Sequence, residues 1–444
     1  MLPLNVIAKC HPERSEGSAF ALVSSLGGPF ILVLRAAPRR GTDLPDGLTN
    51  CQAHAGGWFG ELVTRLPSRP FTEGCSSFSR AAIVWNYRLI QGRNAVKKQL
   101  CSVVVLLLLP ALAARCQSGP VPGAEWMRLA SPELSGWSAE KLEKIHQYVV
   151  DIGSTSAMIV QHGVVVTAWG DVAHRSNLHS CRKSLLSALI GIAVAEGKIN
   201  LGDTLDKLAI DDKKPSLTPQ EKQATVRDLL EARSGVYHPT VYETRGMEEA
   251  KPPRGSHPPG TFWYYNNWDF NALGFIYEQA TGTRIFDAFY REIAQPIGMQ
   301  DFTPRDGHYV TGSDTRFPAY LFDMSARDFA RFGLLYLRHG NWNGVQVVPG
   351  AWVAASTRPY SDTESGGYGY LWWTADSASG ARPEIDFPPG SFWAEGHLGQ
   401  YAVVVPSLDL VVVNRVDGDR TRRTVAKREM AHLVRLVVQA APRQ

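Results

Sequence analysis

The sequence predicts an α+β domain, an antiparallel sheet flanked by helices with a mainly helical second subdomain inserted at about 172–345. Three observations carry that expectation. Strand-forming runs gather near both ends of the body, at 157–169 and again at 367–415. Helical periods fill the stretch between them. The first two strand runs are joined only by His162-Gly163, a link short enough for an antiparallel hairpin.

A leader precedes the body. Residues 1–95 mix Gly, Pro and Arg with no sustained period of 2 or 3.6, and the opening CHPERSEGSA resembles translated intergenic repeat sequence. This stretch is expected to be a non-native or disordered N-terminal extension, with the true start near Val96. From Val96 to Ala114 the chain reads VKKQLCSVVVLLLLPALAA: two lysines, an apolar run, then the A-x-A pattern Ala111-Leu112-Ala113. These are the three regions of a signal peptide, here about 96–113 within a 96–116 leader segment, and they imply a periplasmic or secreted protein. The apolar run is about 14 residues, short of the roughly 20 that a membrane-spanning helix needs, so the mature protein is expected to hold no stable span. A buried core helix is the other reading of the run. A lipid anchor on Cys116 is disfavoured by Arg115, where a lipoprotein signal needs a small residue.

The body, 117–444, opens after the Pro/Gly-rich link Ser118–Gly123. Ser138 starts a helix through about Ile152, with Leu142, Ile145, Tyr148 and Val149 at helical spacing. The hairpin Ala157–Gln161 and Val164–Trp169 follows, and then a long apolar helix from Ser180 to Glu196 that Gly197 stops. Helical patterns at Val226–Ala232, Trp268–Ala280, Ile285–Ala294 and Ala326–Arg338 fill the middle. Strand character returns at Gly367–Thr374, Ser391–Val405 and Leu408–Arg415, before a last helix near Thr424–Gln439.

Charge and cysteine divide along the same boundary. The 444 residues carry 46 Lys and Arg against 42 Asp and Glu, a formal charge of +4, too small to suggest a nucleic-acid partner. Up to Cys116 there are 13 basic and 6 acidic residues; the body holds 33 and 36 and is mildly acidic. Five of the six cysteines lie in the leader, so the body, with Cys181 alone, is not a disulfide-stapled scaffold.

Ser180-Cys181-Arg182-Lys183 is the first candidate for chemistry. The pattern S-x-x-K is weak by itself: Ser138-Ala139-Glu140-Lys141 repeats it, and there a helix N-cap explains it. Ser180, however, heads the apolar helix LLSALIGIAVAEG, so Lys183 enters a core element one turn later, on the same face. Burial and the positive end of the helix dipole both lower a lysine's pKa, and a neutral lysine activates a serine. The second candidate is Pro259–Asn267, PGTFWYYNN, where Tyr265-x-Asn267 offers a phenol for proton transfer and an amide to position a substrate or the lysine. The third is Glu395–Gln400, EGHLGQ. There Gly399 would let a substrate lie against a strand backbone, and the Gln400 and Ser180 N–H groups could form an oxyanion hole.

In this order and spacing the three motifs resemble the S-x-x-K, Y-x-N, [K/H]-x-G set of the penicillin-recognising serine hydrolases, the serine β-lactamase and penicillin-binding-protein-like superfamily. The likeness runs from roughly Trp137 to Val438 and is closest to the class C β-lactamase-related branch. RGSHPPGTFWYYNNWDFNALG and SARDFARFGLLYLRHGNW resemble its 6-aminohexanoate-dimer hydrolases and family VIII carboxylesterases most. The resemblance implies a β-lactamase/transpeptidase-like fold and a secreted serine hydrolase that cleaves an ester or amide of a small-molecule or peptide-like substrate through a Ser180 acyl-enzyme. Ser180, Lys183 and Tyr265 would be catalytic; Asn267, His397, Gly399 and Gln400 would serve substrate and oxyanion; no metal and no cofactor is called for. Two departures stand out: Asn266 replaces the usual Ser, and Asp269 a common Gly. His397 stands where β-lactamases usually carry Lys to hold the β-lactam carboxylate, and a histidine is not reliably cationic at neutral pH.

The alternatives are a peptidoglycan D,D-peptidase or weak β-lactamase and, from another class, a catalytically silent cell-envelope binding protein, against which the intact Ser180, Lys183 and Tyr265 argue. An α/β-hydrolase is excluded because no serine has Gly at both −2 and +2. His174 and His179 are five apart, the wrong spacing for one helical face, and neither H-E-x-x-H nor a phosphate-binding loop occurs.

Overall fold

The computed structural model describes residues 119–442 in full, and in the leader the backbone of three strands. Those strands, Val6–Ala8, Ser18–Ser25 and Gly28–Arg35, form an antiparallel sheet of their own. The runs SAFALVSS and GPFILVLR lack polar alternation, which is why no period of 2 announces them. The expected signal peptide at 96–113 and Cys116 lie outside the described residues.

The body is built on an eight-stranded antiparallel sheet. Its strands are β1 (Ser156–Gln161), β2 (Val164–Gly170), β3 (Ser361–Thr363), β4 (Gly366–Tyr368), β5 (Trp373–Thr374), β6 (Phe392–Gly396), β7 (Gln400–Val405) and β8 (Leu410–Arg415). The spatial order β3-β4-β5-β6-β7-β8-β1-β2 makes the N-terminal hairpin the neighbour of the last strand, with Met158 opposite Val413. The chain therefore leaves the sheet after Gly170 and re-enters it at Ser361. Five principal helices accompany the sheet: α1 (Ala139–Asp151), α2 (Arg182–Ala195), α3 (Asn267–Thr281), α4 (Ala326–Leu337) and α5 (Lys427–Ala440).

Both faces of the sheet are covered, so its central strands read as apolar runs with both faces filled. Ala157, Ile159, Val403, Val405 and Val412 face Ile145 and Val149 of α1 and Met430, Val434 and Val437 of α5. Met158, Val160, Val404, Val411 and Val413 point the other way, toward Phe329 and Leu334 of α4 and the α2 leucines. Burying an aliphatic side chain of this size contributes about 1.5–3 kcal/mol, so the period-2 alternation fixes the register. Caps fix the helix starts: Ser138 Oγ accepts from the Lys141 N–H at 3.3 Å, and Ser325 Oγ from the Asp328 N–H at 3.2 Å. Ser138-x-x-Lys141 is thus a capped helix start, with Lys141 Nζ donating to the Gln439 carbonyl at 2.6 Å.

The inserted segment departs from its mainly helical expectation in one respect. Strands at Ser176–Asn177, Gly307–Val310 and Ala319–Met324 form a three-stranded antiparallel sheet. Ala319–Met324 is buried at five of its six positions, so its sequence shows no alternation to mark it as a strand. The predicted strand at 391–405 is in fact two, β6 and β7, turned at His397–Gly399. Among the described residues no helix is long and apolar enough to cross a membrane.

Candidate active site

The nucleophile segment begins with a distortion. Helix α2 starts at Arg182, two residues later than the sequence suggests, because His179–Cys181 forms a single 3-10 turn. His179 takes a left-handed φ of 49°, held by its N–H donating to Asn177 Oδ1 at 2.6 Å. Helix α2 is apolar nearly all round and buried from Arg182 to Gly191, which carries Lys183 inward until it is 1% exposed. Ser180, one turn earlier, stays half-buried, and Lys183 Nζ donates to Ser180 Oγ at 2.6 Å. Burial pushes the Lys183 pKa well below the lysine range, and the adjacent Arg182 cation pushes it the same way. Its nitrogen sits 4.6 Å over the Tyr265 ring and 4.8 Å over that of Phe270.

The second motif reaches the same point from the start of α3. The Tyr265 phenol faces Ser180, which favours its ionised form, yet burial, the larger effect, raises its pKa, so it stays protonated. Its ring is boxed by Phe270 at 4.9 Å, Trp373 at 5.4 Å and Tyr368 at 5.9 Å between centroids. Of the tryptophans near the motifs, Trp263 and Trp373 are half-buried beside Tyr265, whereas Trp268 and Trp372 are core residues. Asn266 is the N-cap of α3: its Oδ1 accepts from the Trp268 N–H, and its Nδ2 donates to the Val236 carbonyl at 2.7 Å and Asp269 Oδ1 at 2.9 Å. The two departures from the usual motif are therefore one structural unit, with Ser234 Oγ donating to Asp269 at 2.5 Å. Asn267 Nδ2 donates to the Tyr242 carbonyl at 2.5 Å, while its Oδ1 is buried without a hydrogen-bond partner.

The third motif is the β6–β7 hairpin. Gly396, at the end of β6, abuts the nucleophile turn: a Cβ there would lie 2.4 Å from the Leu178 carbonyl oxygen. Gln400 opens β7, and its carbonyl accepts from the buried Cys181 thiol at 3.3 Å. Burial pushes that thiol's pKa up, so Cys181 is a packing residue rather than a nucleophile. Gly399 also has a structural reason to be glycine. It has φ of 107°, and a Cβ would meet Val425 Cβ at 2.6 Å, so backbone geometry and packing against Val425 call for glycine there. His397 is exposed, its ring 5.5 Å from that of His179.

His179 and Tyr242 belong to the site although neither stands out in the sequence. The Tyr242 hydroxyl pairs with His179 Nδ1 at 2.8 Å, and burial, followed by the His397 and Arg415 charges, pushes the His179 pKa down to about 4. His179 is therefore neutral at physiological pH, and it lines a cleft of about 600 Å³ with Asn177, Asp323, Leu398 and Arg420. The only available signal for His179 was its position directly before Ser180; nothing marks Tyr242 in its loop.

The site thus has a polar side, the His179 cleft, and an aromatic side, Trp263 and Trp373, about a serine bonded to a buried lysine and faced by a protonated phenol. The family described as Beta-lactamase matches residues 142–435. An uncharacterized protein of Alkalihalophilus pseudofirmus is 25% identical over 299 residues, spanning 60% of this chain and 84% of that one. Among solved structures, a Bacillus anthracis protein assigned as a 6-aminohexanoate-dimer hydrolase superposes with a TM-score of 0.51 at 21% identity, covering 67% of this chain and 81% of its own. A Bacteroides dorei protein assigned as a beta-lactamase does so with a TM-score of 0.51 at 16% identity, covering 69% and 99%.

Proposed function

Since the chain belongs to the beta-lactamase family and has its β-lactamase/transpeptidase-like fold, we propose that it is a serine hydrolase that cleaves an ester or amide through an acyl-enzyme on Ser180. The observation that carries this reading is the 2.6 Å contact between Ser180 Oγ and the nitrogen of a lysine buried to 1% exposure. The roles follow from the two pKa directions. Neutral Lys183 takes the Ser180 proton as Oγ attacks the substrate carbonyl carbon, and the carbonyl π pair moves onto oxygen. The Ser180 and Gln400 N–H groups receive that oxyanion. On collapse the tetrahedral intermediate breaks its bond to the leaving oxygen or nitrogen, which Tyr265 protonates; Lys183 returns its proton to the phenolate. Water then attacks the acyl carbon with the same groups acting in reverse. The unpaired Asn267 Oδ1 is the acceptor for a substrate N–H or for the Lys183 ammonium.

The aromatic flank favours an apolar group on one side of the scissile bond, and His397 in place of a lysine weighs against efficient β-lactam hydrolysis. Export through the 96–113 leader is part of the proposal, tested by the N-terminus of the secreted protein: a mature chain beginning upstream of Val96 rejects it. The test of the chemistry is fluorophosphonate labelling together with hydrolysis of short p-nitrophenyl esters. Wild type should label and turn over, and Ser180→Ala should do neither. An unlabelled wild type, or equal labelling of Ser180→Ala, rejects the acyl-enzyme. Labelling by a fluorescent penicillin moves the assignment to a D,D-peptidase.

A further inference from the structure

Arg415, the last residue of β8, is 2% exposed, and among the described residues no carboxylate lies within ion-pair distance of it. A guanidinium buried with no carboxylate in contact is costly unless its nitrogens find acceptors. Here each of the three nitrogens does, while Asp323 and Asp417 act on the charge only from beyond ion-pair distance. Nε donates to Gln400 Oε1 at 2.6 Å, Nη1 to the Met324 carbonyl at 2.5 Å, and Nη2 to Ser176 Oγ at 2.8 Å and the Ser176 carbonyl at 2.9 Å. A longer contact of 3.3 Å reaches the Asn177 carbonyl. Burial lowers the Arg415 pKa only to about 10, so it remains a cation at neutral pH.

Besides the Met324 strand, the fork joins the two segments that carry the oxyanion donors. Gln400 opens β7, and its amide, held by Arg415 through Oε1, also donates from Nε2 to the Val416 carbonyl at 2.6 Å. Ser176 and Asn177 lead into the nucleophile turn, where Asn177 Oδ1 holds the N–H of His179, the residue before Ser180. A neutral side chain could join β8 to either segment, but only a planar fork with several donors joins both at fixed angles.

We propose that Arg415 is the positioning residue of the oxyanion hole: it fixes the Gln400 strand against the Ser176–Ser180 segment and places a buried positive charge behind the oxygen that becomes negative. The inference rests on the acyl-enzyme reading of Ser180. Its chemistry is that of a preorganised site, in which donors already aimed at the developing charge need no rearrangement during reaction.

The test uses the full chain as wild type, Arg415→Lys and Gln400→Met. Active sites are titrated with a fluorophosphonate, kcat and KM are measured on p-nitrophenyl butyrate, and inhibition is measured with phenylboronic acid, whose adduct with Ser180 is tetrahedral. Arg415→Lys keeps the charge but not the fork; per titrated site it should lose about 10- to 100-fold in kcat, with KM within about 3-fold. Its boronate inhibition constant should rise by a similar factor. Gln400→Met, which cuts only the Nε–Oε1 link, should lose kcat in the same direction by a smaller factor. A purely structural role would lower the titrated fraction and leave kcat per site unchanged, and that result in both variants overturns the inference. If Arg415→Lys does not fold, Gln400→Met decides alone, and an unchanged kcat per site overturns it. Wild type inert toward both probe and ester would instead remove the Ser180 reading, and this inference with it.

Discussion

Replacing Lys183 by methionine should destroy activity and stabilise the protein. Lys183 sits 1% exposed in a helix otherwise buried in apolar side chains, and its pKa is held well below the usual 10.5, chiefly by burial. The substitution costs its hydrogen bond to Ser180, about 1 kcal/mol, and leaves a half-buried hydroxyl that water can still reach. In return, an apolar side chain removes the cost of burying an ionisable group, a gain taken as about 1–4 kcal/mol by analogy with buried ion pairs replaced by apolar residues. The methionine sulfur would also meet the Tyr265 and Phe270 rings that the ammonium now faces, adding about 0.3–1.5 kcal/mol. The balance is about 0.3–4.5 kcal/mol in favour of Lys183→Met at pH 7, a Tm rise of up to about 6 °C for a domain of this size. The advantage should shrink with alkali. A lysine whose pKa is lower folded than unfolded binds fewer protons in the native state, so wild type gains stability as pH climbs from the native pKa toward 10.5. Thermal melts of both proteins at pH 7 and pH 10, beside ester hydrolysis, measure this. Lys183→Met that is less stable than wild type, or a difference independent of pH, would refute a neutral buried lysine and with it the base assigned to Ser180.

Tyr265→Phe keeps the aromatic box but removes the phenolic proton, so kcat on esters should fall about 10²- to 10⁴-fold with KM little changed. The acid limb of kcat/KM should follow Lys183, the rate falling as the lysine gains its proton. Arg182→Met removes the neighbouring cation that helps depress Lys183 and should move that limb to higher pH, as a pH–rate profile would record. Gly399→Ala forces a side chain onto Val425 at φ of 107° and should cost more than about 2 kcal/mol in denaturant unfolding.

What the sequence discloses is what local spacing controls. Ser180 and Lys183 lie three apart at the head of an apolar helix, and that is enough to bring nitrogen and oxygen together. The sheet strands were legible where the apolar runs are bounded by turns, as at His162-Gly163. Ala319–Met324 was not, because a strand buried on both sides has no alternation, and the His397–Gly399 turn was hidden inside a continuous strand-forming run. The reason for Gly399 was also hidden, since Val425 is met only in the folded chain. Arg415 is likewise silent in sequence: Ser176, Met324 and Gln400, which its fork joins, are scattered over most of the body. Tyr242 reaches His179 from a loop with no motif.

The adjacency of β1 and β8 also sets a timetable. β1 emerges early in synthesis, yet its partner, from Leu410 to Arg415, is among the last segments made, so β1 waits with an unpaired edge while the inserted segment is produced. Such long-range pairing is slow to form and leaves apolar strand edges open to wrong partners meanwhile. The third motif and Arg415 arrive on that same late segment, so the nucleophile and its lysine exist in the chain long before the Gln400 N–H that completes the proposed oxyanion hole. A chain stopped short of β8 would lack both the sheet's closure and its catalytic competence, which ties activity to completed synthesis.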